Sequence, residues 1–394
     1  MSQPTFKRYI FSTVRIVICA GALWLVLRGV TLQDSVLLEG GEEVFGRIES
    51  RGDEGLVLAS GDGSQSIAAE EIARQDDGSF VVSYGLLSAW SETIGWLLVA
   101  AVLLHLPVAL FQAVRLCWLL SAQHISLGFW ESLKLTFAGN FLNFATPLGS
   151  NAGDVFKAYF VALHTEHKTE AVTTVILDRV VGLCSLLFVV ALITFVSSSG
   201  RLAELRPYIL GVVGLVLLGV LLYISPLFRM LLNMSWLRRL PFFGHVERID
   251  ATARKLLGRP DLLCGGVLIT IVLQVTAMSA YIVVAKAVGL EVIMQRLAEM
   301  YAYFFVGCLV QALPGPPQGL GTVELTYRYF FSPFGTVSQI LCMAFLIRLM
   351  VLICALPGVL VTLTGSYRPS AARTLHGDLP EPTELAGSIE PAVR

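Results

Sequence analysis

Long apolar blocks recur through this chain, at residues 93–104, 171–196, 208–224 and 262–285. A helix needs roughly 20 mostly apolar residues to cross the hydrocarbon core of a bilayer, and several of these blocks reach that length with their flanks. A surface helix of a soluble protein would show a polar stripe every three to four residues, and these blocks do not. Composition agrees: 55% of residues are hydrophobic and 14% are charged, against about 25% charged in an ordinary soluble domain. The chain therefore reads as an all-α polytopic membrane protein.

Charge places the spans relative to the two sides. Lys and Arg accumulate in cytoplasmic loops, and the most basic loop is 229–259, with Arg229, Arg238, Arg239, Arg248, Arg254, Lys255 and Arg259. Putting it inside also puts Lys7, Arg8 and segment 157–168 inside. Spans near 9–30, 91–120, 171–196, 207–224, 262–285 and 336–363 then alternate without conflict, and both termini lie in the cytoplasm. The expected location is the cytoplasmic (inner) membrane. The apolar run 16–27 after Lys7 and Arg8 is short enough for a signal-peptide core. It lacks a small-residue cleavage site, and Arg15 and Arg28 are placed to snorkel from a longer helix, so residues 1–31 are expected to form a retained anchor.

Residues 32–88 are unlike the rest. Short alternating runs (44–48, 55–58, 80–84) are separated by Gly/Asp-rich turns, the pattern of a few strands joined by hairpins. This module carries twelve acidic residues against three arginines and is expected outside the membrane, as a spacer or as a docking site for an extracytoplasmic protein. The membrane domain runs over 89–366, and 367–394, rich in Pro, Glu and Ala, reads as a disordered cytoplasmic tail.

Two further apolar segments are interrupted. Segment 127–145 runs into Thr146-Pro147-Leu148-Gly149-Ser150-Asn151-Ala152-Gly153-Asp154 and resumes, and segment 297–313 runs into Pro314-Gly315-Pro316-Pro317-Gln318-Gly319-Leu320-Gly321 and resumes. Irregular backbone at membrane depth survives only where protein buries it or water lines it. Both are expected to be re-entrant helical hairpins, in addition to about six spans. The segments also correspond. Gly139 and Gly153 match Gly307 and Gly321 at an offset of 168 residues, and Arg179 matches Arg348 at 169. With the spans alternating as above, the repeat is inverted, a plan common in transporters whose broken helices meet at the binding site. A pseudo-symmetry that moves nothing is the other reading.

An arginine among lipid tails costs about 2.5–3.5 kcal/mol on an insertion scale, so Arg179 and Arg348 call for a partner and a cavity. Asp154 and Glu324, each just beyond a break, are the expected partners. The four charges either line a site where the planar guanidinium forks clamp a phosphate, or pair internally to fix the two halves. Lys157, one turn beyond Asp154, either meets a headgroup or snorkels to the cytoplasmic interface. The seven cysteines are scattered singly through apolar stretches, and His164-Thr165-Glu166-His167 lacks the spacing of a metal-binding helix. No metal, cofactor or catalytic motif is found, so an enzyme is not expected. A net charge of −1 argues against nucleic acid.

The stretch 139–183, with Pro147, Gly153-Asp154, Lys157 and Asp178-Arg179-Val180-Val181-Gly182-Leu183, resembles the flippase-like family of the lysylphosphatidylglycerol synthase transmembrane region. Leu313-Pro314, Gly319-Leu320-Gly321, Glu324, Gly335 and Arg348 extend the likeness, over roughly 91–365. The resemblance implies a bilayer domain that binds or translocates an anionic lipid, a phospholipid or a polyprenyl phosphate; some relatives are instead linked to polyprenyl-phosphate sugar pathways, so an accessory or catalytic role in lipid-linked glycan synthesis is the alternative reading. Two features depart from the full synthase: no soluble synthase domain follows the membrane region, and the β module 32–88 is additional.

Overall fold

The computed structural model describes residues 33–52, 55–60, 63–74, 82–83, 85–145, 152–163, 165–196, 201–225, 243–292, 294–312 and 317–364. The expected first span (9–30), the expected disordered tail, residues 229–242 of the basic loop, and Pro147, Gly149 and Pro314 lie outside the described residues.

The acidic module is a five-stranded antiparallel sheet. Strands β1 (Asp34–Leu37), β2 (Glu43–Gly52), β3 (Gly55–Ser60), β4 (Gly63–Ala68) and β5 (Val82–Ser83) pair in the order β4-β3-β2-β1-β5. Alternation turns Leu56 and Leu58 of β3 to one face, where they pack with Val36, Ile67 and Ile72. One buried carboxylate joins the sheet to the helical part of the chain. Asp34, 1% exposed, accepts the Gly85 N–H at 2.6 Å and the Ser88 hydroxyl at 2.8 Å, both at the short helix α1 (Leu86–Ser91), and the Ile48 N–H of β2 at 3.0 Å. Charge-assisted hydrogen bonds of this kind are the strong ones. Asp34→Ala, which strands three donors, is expected to cost about 3 kcal/mol and to speed amide hydrogen exchange in β1 and α1. Unchanged exchange would mean the carboxylate does not hold the sheet to the helices.

The remaining described chain is helical: α2 (Gly95–His105), α3 (Pro107–Ser121), α4 (Phe129–Ala145), α5 (Ala152–Ala162), α6 (Lys168–Val196), α7 (Arg201–Ile224), α8 (Phe243–Leu257), α9 (Pro260–Ala287), α10 (Leu297–Ala312), α11 (Thr322–Phe331), α12 (Val337–Ala355) and α13 (Pro357–Thr364). Five helices among the described residues are long and apolar enough to cross a bilayer, α2 and α3 counting as one: Gly95–Ser121, Lys168–Phe195, Arg201–Tyr223, Pro260–Ala287 and Val337–Ala355. They correspond to five of the six expected spans.

Two of them are reshaped by proline, which has no N–H to give the preceding turn. The first divides at Leu106-Pro107 into α2 and α3. The run expected as one span over 336–363 ends at Ala355, and α13 departs at Pro357 to pack on α4. Gly358 lies so close to the Phe137 carbonyl that any Cβ there would overlap it. Part of the core is aromatic: Tyr303 and Phe304 of α10 meet Phe330 and Phe331 of α11, with ring centroids 4.7 Å apart in the pairs Tyr303–Phe330 and Phe304–Phe331. Helix α7 is the opposite case, with no buried residue in its most apolar window, as expected of a helix facing lipid.

Candidate functional site

The first broken segment closes on itself through two glycines. Helices α4 and α5 cross with Gly139 against Gly153, so closely that a Cβ on Gly153 would enter the Gly139 carbonyl. Asn143 accepts the Gly153 N–H at 2.7 Å and so satisfies a donor at the start of α5. The stem of Lys157 lies over Gly139, and Asp154, in the first turn of α5, takes Arg179 Nη1 of α6 at 2.6 Å. Gly153→Ala is expected to destabilise the protein by about 1–3 kcal/mol through overpacking, readable as a lowered unfolding midpoint in detergent.

The second broken segment is built differently in detail. Gly307 of α10 lies under the ring of Tyr327. A 3-10 turn, Pro317–Gly319, leads into α11, with Gln318, Gly319 and Gly321 at φ of 55°, 63° and 82°. Glu324 does two jobs: Oε2 accepts the Gly321 N–H at 2.8 Å at the start of α11, and Oε1 takes Arg348 Nε at 2.9 Å. Arg348 Nη2 is also 2.8 Å from that oxygen but not aligned for a hydrogen bond. Arg348 Nη1 donates to the Gln318 carbonyl at 2.8 Å, fixing a left-handed residue that is not glycine.

The two segments meet. Gln318 Nε2 donates to the Asn143 carbonyl at 2.8 Å, and Gln311 Nε2 donates to Gln318 Oε1 at 2.8 Å. Beside this junction is a cavity of about 320 Å³. Its wall carries two arginines, Arg115 and Arg179, and six carboxamides: Gln112, Asn140, Asn143, Gln274, Gln311 and Gln318. Arg115 is held in a fork by Asp178, Nε to Oδ1 at 2.6 Å and Nη2 to Oδ2 at 3.0 Å, while Nη1 donates to Thr270 at 3.0 Å.

Of the residues singled out from sequence, Arg179 lies on this wall and Asp154 is its partner. Arg348 and Glu324 stand behind Gln318 and hold its turn. Lys157 is not on the wall, yet it interacts electrostatically with Asp154, Asp178, Arg115 and Arg179. Gly153 lets α5 pack closely on α4, and Gly319 and Gly321 take positive φ in the turn before α11. Sequence reasoning passed over Arg115, although an arginine inside the expected span 91–120 is itself a pointer to a site. It also passed over the carboxamides, which carry no charge and leave no mark in a scan for charges.

Bilayer-length helices around a polar, arginine-bearing cavity define a multi-pass membrane protein. The chain belongs to the Lysylphosphatidylglycerol synthase TM region family, which matches residues 84–358. It is thereby a membrane protein of a family in lipid handling, and the five strands of the acidic module precede the matched region. No curated protein matches the chain significantly in sequence.

Proposed function

We propose that the protein binds an anionic phospholipid by its headgroup in this cavity and translocates it across the bilayer. The observation that carries the reading is the polar cavity with Arg115 and Arg179 on its wall. Lys157 adds a further basic residue within electrostatic reach of the two ion pairs, Arg115–Asp178 and Arg179–Asp154. The two arginines have different parts. Arg115 and Asp178 expose only 11% and 15% of their side chains and form a forked pair, which fixes a helix contact. Arg179 and Asp154 expose 31% and 32%, so Arg179 is the guanidinium that turns from its carboxylate to a phosphate, a group its geometry suits.

Two broken helical segments meeting at a cavity fit the plan of inverted-repeat transporters, in which one half rocks against the other. The Gln318–Asn143 hydrogen bond is the link such a motion breaks. In this reading the basic loop and both termini face the cytoplasm, the membrane is the inner one, and the acidic sheet stands outside, available to a protein partner. The work is binding and movement rather than bond chemistry.

Reconstitution in vesicles tests this. Labelled anionic phospholipid is expected to cross faster than a zwitterionic one, and Arg179→Ala is expected to slow it about tenfold, the worth of one charge-assisted hydrogen bond. Absence of transport by the wild-type protein, with or without an ion gradient, would sink the reading.

A further inference from the structure

The cavity wall carries one histidine, His105, the last residue of α2. Among the described residues it is the only histidine within a bilayer-length helix. It is the eleventh residue of the span Gly95–Ser121, about 16 Å from that end at 1.5 Å per residue, so it stands close to the middle of a hydrocarbon core about 30 Å thick. Its side chain is held: the residue is 7% exposed, and the ring lies on Tyr281 with centroids 5.9 Å and planes 15° apart. An ionisable residue at that depth is costly, and where proteins keep one it commonly marks an ion or proton path.

The charges around it are already spoken for. Helix α9 brings Tyr281 to it, and α12 brings Cys354, whose Sγ lies 3.9 Å from the Val102 carbonyl of α2. Arg348 of α12 is paired with Glu324. Arg115 of α3 is paired with Asp178, and Arg179 across the cavity with Asp154. Cys308 of α10 completes the titratable groups of the wall, and no carboxylate is on it among the described residues. Guanidinium groups are always protonated, and thiols and phenols only lose charge to become anions. His105 is therefore the one group on the described wall able to gain a positive charge when an anion arrives.

Two features suit that gain. An anion within a few ångströms favours the protonated form of an imidazole, whose charge changes near neutral pH. The negative face of the Tyr281 ring favours a cation laid on it. A polar cavity also admits water, which hydrogen-bonds the ring and carries protons to and from it.

Resting on the proposed lipid-binding role of this cavity, we propose that His105 couples lipid to proton: it is neutral in the empty cavity and takes up one proton when an anionic headgroup enters. The proton comes from water on the side to which the cavity is open, joins the bare ring nitrogen, and returns to water when the lipid leaves on the other side. One anionic lipid and one proton thus cross together, the pair carries no net charge, and a pH difference across the membrane drives lipid movement.

Calorimetry of the purified full chain with short-chain phosphatidylglycerol, whose phosphodiester does not titrate near pH 7, tests this. Runs at pH 7 in two buffers of different ionisation enthalpy count the protons taken up. The wild-type protein is expected to take up about 0.5–1 proton per lipid, and to bind about three- to tenfold more tightly at pH 7 than at pH 8, because the bound state holds more protons than the free one. In His105→Gln, with His105→Asn as a second variant of smaller volume, uptake is expected to fall below about 0.2 and the pH dependence to vanish. Binding by wild-type protein without proton uptake overturns the inference and leaves the proposed function standing, whether or not the variants fold. Uptake that survives in either variant overturns it as well, since the proton then goes to another group. If the lipid does not bind at all, the proposed function fails and this inference with it.

Discussion

Arg115→Met is expected to lower stability by about 3–5 kcal/mol, the cost of leaving one member of a buried ion pair without its partner. The stranded group is Asp178, 15% exposed and in the middle of α6. The rest of the site tolerates the loss: Thr270 keeps its own bond to the Gly266 carbonyl at 2.6 Å. Gly182 has its open face toward the guanidinium, 3.3 Å from where a Cβ would stand, so the apolar side chain has room. Asp178→Leu alone is expected to be about as costly, since it strands the arginine. The double variant Arg115→Met/Asp178→Leu is expected to recover most of the loss, because replacing both ions by apolar groups removes two desolvation penalties together. Unfolding midpoints of the four proteins in one detergent give the coupling energy. A coupling below about 1 kcal/mol, the size seen for exposed pairs, would mean that water reaches this pair and that it does not fix α3 to α6.

The helices were legible from sequence because apolar length is a property of a single segment. The blocks expected over 171–196, 207–224 and 262–285 are helices Lys168–Val196, Arg201–Ile224 and Pro260–Ala287. The differences lie at the ends, where Lys168, Glu170, Arg201 and Glu204 continue a helix past the apolar stretch, so hydropathy undercounts it. The sheet was legible by half. Runs near 44–48, 55–58 and 80–84 coincide with β2, β3 and β5, but β1 and β4 begin Asp34-Ser35 and Gly63-Ser64-Gln65-Ser66, too polar to read as strands. They pair because their neighbours supply a register. At the site, the ion pairs of Arg179 and Arg348 join residues 25 and 24 positions apart, close enough for a sequence pattern to propose them. The Gln318–Asn143 bond spans 175 positions and Arg115–Thr270 spans 155. Contacts of that range are set by how the helices pack, and no local pattern encodes them.

Glu324 gives the second large effect, and its two oxygens allow the causes to be separated. Glu324→Ala is expected to cost about 4–6 kcal/mol: about 1 for the lost contact at the start of α11, and about 3–5 for leaving Arg348 unpaired where its side chain is 19% exposed. Glu324→Gln keeps an oxygen for the Gly321 N–H, since glutamine serves at this helix position as glutamate does, but it removes the charge. Its cost is therefore expected to be smaller than that of alanine by about 1 kcal/mol. The consequence reaches the cavity, because the same guanidinium holds the Gln318 carbonyl and Gln318 is the residue that bridges to Asn143. Both variants are thus expected to speed hydrogen exchange at 319–324 and to weaken lipid binding even though Glu324 is not on the cavity wall. If Glu324→Gln behaves as wild type, the charge is unimportant and Arg348 finds its stabilisation in the Gln318 carbonyl. If stability falls while lipid binding and transport hold, the turn at Gln318 supports the fold alone, and the bridge between the two broken segments is not the moving part.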